Sequence, residues 1–518
     1  MEVQHFIAVL FVLFTDLHVN EGKKIVMLPL MIRSRFLQMM GIAEPLMDKG
    51  HQVYMTVDRT YELPSEVRRS RMKIMYYDTG RPLQANLMSN VDALIETFRE
   101  TNFVKKGIKA GVYFKALADD CHNFLQTEDI MSRLKSERFD FAIVEGSSVS
   151  RCYYIVAHIL GIPYASLGTF HSLDIASAAS QAHYLVPSLA NPDSLLTGQT
   201  LVMRLAGVFH TILLSRKVEA DFRKYAADKP YSSLYDLACN SELWLLDAAP
   251  QLSVPMPEPP NVIHVGGLSS REARPISDPR LKQFVDKAEA GFIFISFGSM
   301  LENYPSFLQT ILLDVMQKLP LKVVWKNANI SNIQNKIPAN VFVSDWLPQN
   351  DVLGHPNVKL FITHCGSGGQ HEALFHAVPM VGVPLWVDQQ FNARKLVKFG
   401  FGRFVDSQHL TTDRLLAEID LVLSNQSYKD NIVSASKMFR DQPMKPRETA
   451  AYWIEHVMKY GGSHLRSSTL DMPWYQLIMV DVLCVLILVL IFSMFVTWMI
   501  IRCVCRSCCK RTTKIKRA

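Results

Sequence analysis

The sequence predicts an α/β protein of two doubly wound domains facing a cleft, followed by one C-terminal transmembrane helix. Three observations predict it. Short apolar runs alternate with helical stretches in two separate blocks, the pattern of parallel sheets wrapped by helices. Between the blocks, "SSREARPISDPRLKQFVDKAEA" (269–290) is charged, carries two prolines and reads as a linker. Near the end, residues 482–501 form an uncharged apolar run long enough to cross a bilayer. A chain of 518 residues is also too long for one ordinary core.

Taken in order, residues 1–22 read as a signal peptide, because "FIAVLFVLF" (6–14) is an apolar stretch of the right length followed by polar residues and the small Gly22. The first domain spans 23–268. It opens with the buried strand "KIVMLPL" (24–30). Phe36, Met39, Met40, Ala43 and Met47 then share one helical face, Gly50 stops the helix, and "HQVYMTV" (51–57) resumes a strand. The same unit recurs with "FDFAIV" (139–144), a helix from about 150 to 160, and "PYASL" (163–167). From about 169 to 229 the alternation breaks, as suits an insertion that shapes a variable pocket.

The second domain, 291–455, restarts the alternation with "GFIFISFGSM", "LKVVW", "NVFVSDW", "VKLFITH" and "PMVGVPL". Two such domains leave a cleft lined by the carboxyl ends of both sets of strands, where open α/β sheets bind ligands. Residues 456–473 form a membrane-proximal segment, and 474–501 the transmembrane helix, with Trp474 and Tyr475 as interfacial anchors. The tail, 502–518, carries seven Lys or Arg and no acid, which puts it in the cytosol and the bulk of the chain in the lumen, a single-pass type I arrangement. Lys514 and Lys516 resemble the dilysine signal that returns proteins to the endoplasmic reticulum.

The net charge of +7 is all tail, and the remaining 48 basic residues balance the 48 acidic ones, so nothing asks for nucleic acid. Five of the nine cysteines (Cys484, Cys503, Cys505, Cys508, Cys509) lie in the span or tail. The other four, Cys121, Cys152, Cys239 and Cys365, do not make a disulfide scaffold. Asn329 and Asn425 head glycosylation sequons consistent with a lumenal face.

The densest chemistry is "THCGSGGQHE" (363–372), at the end of an apolar strand and the start of a helix. Gly366, Gly368 and Gly369 let backbone amides approach an anion at the positive end of the helix dipole, and His364 can donate to the same group. A tight turn with no ligand would use the same glycines; the neighbours argue for a ligand. Trp346 offers a flat face for a base, Gln349 an amide for its edge, and Glu372 a carboxylate for ribose hydroxyls. Asp388 and Gln389 follow the next strand, where they could bind sugar hydroxyls.

The stretch "DWLPQNDVLGHPNVKLFITHCGSGGQHEALFHAVPMVGVPLWVDQQFNA" resembles the signature of the UDP-glycosyltransferases, and "ISFGSM", "NVIHVGGL" and "DQPMKPRETAAYWIEHVMKYGGSHLR" are similar to the animal, membrane-anchored branch that includes the UDP-glucuronosyltransferases. The resemblance implies two Rossmann-like domains (GT-B), the second holding a UDP-sugar, which is a co-substrate; no cofactor and no metal is expected. It implies that Trp346 stacks on uracil with Gln349 beside it, that His364, Gly366 and Gly369 hold the pyrophosphate with Ser299 nearby, that Glu372 takes the ribose, and that Asp388 and Gln389 take the sugar. Two positions depart from the family pattern: Cys365 stands where a glycine is common, and Gly368 where most members have asparagine.

In the family a histidine after the first strand is the base, held by an aspartate. Those positions carry Arg35 and Glu145 here. An arginine stays protonated and cannot serve as a base. The paired change predicts that Arg35 and Glu145 meet as an ion pair; Glu145 acting as a base of raised pKa is the alternative, and His171 is a spare candidate. The expected function is inverting transfer of glucuronate or another hexose from a UDP-sugar to a small lipophilic acceptor, with nitrogen nucleophiles favoured. The alternative is a catalytically impaired UDP-sugar-binding relative that modulates an active partner. The expected partners are therefore the donor, the acceptor and the membrane; a homo- or hetero-oligomer is compatible. A membrane-anchored receptor ectodomain would leave the donor constellation unexplained.

Overall fold

The computed structural model describes residues 22–80, 95, 122–146, 152–168, 219–253, 258–301, 304–328, 333, 336–386, 388–467, 473–477 and 479–515. The first sheet contains β1 (Lys24–Leu28), β2 (Gln52–Asp58), β3 (Lys73–Tyr77), β4 (Phe141–Glu145), β5 (Tyr164–Gly168), β6 (Leu243–Leu246) and β7 (Val262–His264), in the order β3-β2-β1-β4-β5-β6-β7. The second contains β8 (Phe292–Ser296), β9 (Lys322–Lys326), β10 (Val341–Ser344), β11 (Val358–Thr363), β12 (Met380–Gly382) and β13 (Gly402–Phe404), in the order β10-β9-β8-β11-β12-β13. Every pairing is parallel. The central strands β4 and β8 are buried along their whole length, which explains why they read as unbroken apolar runs and not as alternations.

In each sheet the strand order reverses once, between β1 and β4 in the first and between β8 and β11 in the second. A parallel sheet splits its connections at such a point and opens a crevice at the carboxyl ends of the two strands. Glu145 closes β4, and the segments that follow β1, β8 and β11 carry Arg35, Ser299 and His364. Topology thus puts the predicted residues of both domains at the two crevices.

Helix α1 (Arg33–Asp48) buries Phe36, Met39, Met40, Ala43 and Met47, the face predicted from their spacing, and ends before Gly50 at φ 93°. Gly41 lets it lie on the chain crossover, since a Cβ there would come within 2.6 Å of Leu268 O. The segment expected to be a bare linker holds a helix, Pro279–Asp286, because Asp278 caps it by accepting from the amides of Arg280 and Leu281. Helix α2 (Gln349–Leu353), α3 (Ser367–Phe375) and α4 (Gln389–Lys398) carry the donor-side residues.

Helix α5 (Pro446–Tyr460) returns to the first domain and packs on α1, with Arg447 Nη1 2.7 Å from Glu44 Oε2 and Glu455 paired to Lys49 and to His51. It runs unbroken through the expected boundary at 455. Last comes α6 (Val480–Ile515), in which Val480–Arg506 contains an 18-residue window of mean hydropathy 2.9 with no burial against the rest of the protein. Its start is later than the expected 474 because Trp474–Leu477 is a separate short turn and Met479 breaks the helix at φ 56°. Cys152 is disulfide-bonded, whereas Cys239 and Cys365 are free and buried.

Candidate active site

The donor side is built at the carboxyl edge of the second sheet. The His364 ring sits between two glycines: a Cβ on Gly298 would lie 2.7 Å from the imidazole and one on Gly366 2.5 Å from it. Burial, helped by the Lys326 ammonium, lowers the pKa of His364 to about 4, so the ring is neutral at pH 7. Its Nδ1 has no hydrogen-bond partner among the described residues. A Cβ on Gly369 would crowd Gln349 Nε2 at 3.3 Å, whereas one on Gly368 would meet nothing nearer than Ser269 Oγ at 3.8 Å. Gly366 and Gly369 therefore make room for neighbouring side chains, and only position 368 has space for a larger residue. The amides of Ser367, Gly368 and Gly369 open α3 and are first-turn N–H groups that a helix leaves without intrahelical partners.

Cys365 fits, but at φ 66°, where a glycine is unstrained and an L side chain is not. Its buried Sγ explains Gly382, whose Cβ would lie 2.4 Å away. Gln349 Nε2 donates to Glu372 Oε2 at 2.7 Å, so the two residues expected to read base and ribose separately act together. Burial raises the Glu372 carboxyl to about 7. Gln389 departs from expectation: its Oε1 already accepts from the amides of Leu385 (2.8 Å) and Trp386 (3.2 Å), leaving only the amide nitrogen for a sugar. Asp388 accepts from Asn392 Nδ2 at 3.1 Å; burial pushes its pKa up and the Arg35 charge opposes that. Ser299 lies in the half-buried turn after β8, next to Gly298.

Trp346 is 42% exposed, as a stacking platform must be. Yet the Arg33 guanidinium, from the first turn of α1, lies over this ring at 3.6 Å from its centroid, and Lys326 Nζ lies at 4.9 Å. Arg33 is also paired with Glu66 at 3.1 Å. The first domain thus covers the ring that was expected to stack on a base within the second.

Across the cleft, Arg35 and Glu145 meet as the paired change predicts, with Arg35 Nε 3.3 Å from Glu145 Oε1 and the carboxylate wholly buried. Arg35 Nη1 also donates to Gln38 Oε1 at 2.9 Å. The spare candidate His171 lies outside the described residues. Sequence reasoning missed Lys326, although a lysine closing the apolar run "KVVWK" at a strand's carboxyl end was a usable signal. It also missed Arg33, Gln38 and Asp247, whose partners are distant in sequence.

With this geometry in hand, the comparisons with known proteins become specific. Residues 23–515 match the family described as UDP-glucoronosyl and UDP-glucosyl transferase. The chain belongs to that family. It is 27% identical over 512 residues to rat UDP-glucuronosyltransferase 1A5, covering 96% of this chain and 94% of that one. It is 29% identical over 508 residues to human UDP-glucuronosyltransferase 2B17, covering 93% and 92%. Among solved structures, the glycotransferase of kitacinnamycin superposes with a TM-score of 0.62 at 20% identity over 85% of this chain and 100% of that one. The glycosyltransferase VinC in complex with dTDP gives 0.57 at 15% identity over the same shares. These likenesses establish the GT-B fold: two Rossmann-like domains facing a cleft, here with a C-terminal transmembrane helix. UDP-sugar-dependent glycosyl transfer is the family's reaction.

Proposed function

We propose that the protein transfers a hexosyl group, glucuronate first among the candidates given the names of its relatives, from a UDP-sugar to small lipophilic acceptors with inversion. One observation carries the reading: His364, the amides that open α3 and the Glu372 carboxylate bonded to Gln349 follow β11 at the switch point, and Trp346 and Asp388 follow β10 and β12 at the same carboxyl edge of the sheet. In this reading the α3 amides, His364 Nδ1 and Lys326 hold the pyrophosphate, Glu372 with Gln349 takes the ribose, and Asp388 with the Gln389 amide nitrogen takes the sugar. Uracil takes the Trp346 face that Arg33 covers.

Chemistry at the anomeric carbon then follows from the ion pair. With Arg35 held by Glu145, that position supplies no base, so nucleophiles that attack without prior deprotonation are favoured, amines above all. The nitrogen lone pair forms the new bond, UDP leaves with the pair from the broken C–O bond, and the nitrogen loses its proton afterwards to water. The same ion pair supports a second reading, a UDP-sugar-binding relative that modulates an active partner. The bulk of the chain would face the lumen of the endoplasmic reticulum; exposed Asn425, whose Oδ1 accepts from Ser427 N at 3.0 Å, keeps its amide nitrogen available for a glycan.

The test is a transfer assay over a panel of UDP-sugars with lipophilic amines and phenols, beside calorimetry with UDP. Amine transfer in the wild type, and a rise in phenol transfer in Arg35→His/Glu145→Asp, supports the enzyme. UDP binding without any transfer by either form leaves the modulator, and absence of UDP binding overturns both.

A further inference from the structure

One carboxylate joins the acceptor-side arginine to the donor-side helix. Asp247 follows β6 and is fully buried. Its Oδ2 accepts from Gln38 Nε2 at 2.5 Å, and the other end of that amide, Oε1, accepts from Arg35 Nη1. Its Oδ1 accepts from the amides of Gly267 (2.7 Å) and Leu268 (3.3 Å), where the chain leaves the first domain. His371, in the second turn of α3, puts Nδ1 3.5 Å from Ser367 Oγ and 3.8 Å from the same Asp247 oxygen, an electrostatic contact longer than a hydrogen bond. The His371 tautomer is fixed: Nε2 accepts from Ala249 N at 3.2 Å, so the proton sits on Nδ1, towards Asp247.

The direction of the Gln38 amide is fixed in the same way. Only with its oxygen towards Arg35 and its nitrogen towards Asp247 does every donor meet an acceptor. Among the described residues no Lys or Arg pairs with this carboxylate, so its burial is offset by N–H groups: hydrogen bonds from α1 and from the crossover, and the His371 ring of α3 at electrostatic range. Through His371 the second domain reaches the carboxylate only when the two domains are docked.

The structure assigns Gln38 and Asp247 as positioning residues: through Gln38 the Asp247 carboxylate sets the direction of the Arg35 guanidinium, and through His371 and the crossover it ties that direction to the donor helix. This rests on the proposed function, because it is the donor that α3 would bind. A donor engaging the α3 amides would steady His371, Asp247, Gln38 and Arg35 in turn, so that the acceptor side is ordered when the donor is loaded.

The experiment uses the full chain in detergent, wild type against Gln38→Met, Asp247→Asn and His371→Phe. Hydrogen exchange in the peptide 33–48, with and without UDP, reads the coupling directly. UDP should slow exchange there in the wild type and have no such effect in His371→Phe or Gln38→Met, although both still bind UDP. Asp247→Asn should behave likewise, because an amide at 247 turns a donor towards Gln38 and reverses it against Arg35. For transfer, Gln38→Met should lower kcat by about tenfold or more at unchanged donor KM, as misplacement of a reacting-site group does, and should add nothing to Arg35→Met. Equal loss of UDP affinity, kcat and melting temperature in Gln38→Met would mean a purely structural contact and overturn the assignment. Wild type that binds UDP with exchange in 33–48 unchanged overturns the coupling alone; wild type that binds no UDP overturns the proposed function and the coupling with it.

Discussion

At the end of β11 the first ring past the strand is a neutral histidine whose Nδ1 has no hydrogen-bond partner among the described residues, whereas past the end of β1 the cleft meets an arginine paired with a buried carboxylate. The backbones of the two switch points are alike, each a parallel sheet parting at its strand reversal. Their charges are arranged differently. The second sheet leaves the first-turn N–H groups of α3 and a neutral imidazole at its edge, while the first pairs an arginine with a buried carboxylate. In the proposed reading the difference teaches that one crevice receives a ligand's charge and the other holds a shape.

The strongest way to break that contrast is to remove one half of the ion pair. Arg35→Met leaves Glu145 buried without its cation, which costs about 3–5 kcal/mol of stability by analogy with other buried pairs. Urea unfolding of the protein should register it. Arg35→Met/Glu145→Met should recover most of the loss, since two apolar residues need no partner. Equal instability in the single and double variants would mean that Arg35 is held by something other than this charge.

The next effect lies on the donor side. Trp346→Ala should weaken UDP binding by about 1–3 kcal/mol, the range for loss of a base stacked on an aromatic ring. Calorimetry measures it, and an unchanged affinity would take uracil off this ring.

Much of this was legible in the sequence, and the boundary is physical. Strands β1, β2, β4, β5 and β8 to β12 could be read, most of them because parallel strands buried on both faces leave continuous apolar runs, and α1 because its apolar residues keep helical spacing; β3, half exposed, and the short β6, β7 and β13 were not read. The proposed donor residues drew attention because one strand-turn-helix segment carries four of the nine, His364, Gly366, Gly369 and Glu372. The Arg35–Glu145 contact followed from two changes read together. What stayed hidden was tertiary. Arg33 over Trp346 joins residues more than 300 apart, and Asp247 collects partners from α1, the crossover and α3 that no local pattern links. The helix within 269–290 was obscured by its own charged composition, although Asp278 before Pro279 is a readable cap.

Glu372 sharpens the comparison through pH. Burial raises its carboxyl from 4.5 to about 7, and only the ionised form accepts from both ribose hydroxyls. Affinity for a UDP-sugar, which has no phosphate titrating in this range, should therefore be full above pH 8 and fall as pH drops through 7, by about tenfold between 8 and 6 for a single group. Stability runs the opposite way: the folded state holds a proton that the unfolded state has released, so this group's contribution is fully present below about 4.5 and is lost as pH rises through 7. Glu372→Gln should flatten both profiles. A wild-type affinity independent of pH from 6 to 8 would remove Glu372 from the ribose.

The smallest expected effect is the most discriminating, because its sign is unusual for a cation near an anionic ligand. If the Arg33 guanidinium occupies the face that uracil needs, binding must displace it, and the contact given up is a cation–π stack of about 0.5–1 kcal/mol at a partly exposed site. Arg33→Ala should then tighten UDP binding a few-fold, about what that energy converts to. Arg33→Lys should fall between, since a lysine lacks the planar group that covers the ring. Trp346→Ala should cancel the gain, there being no face left to compete for. If instead Arg33→Ala weakens binding, the guanidinium touches the donor itself, and the first domain contributes a binding residue to the donor site where the present geometry has it as a competitor.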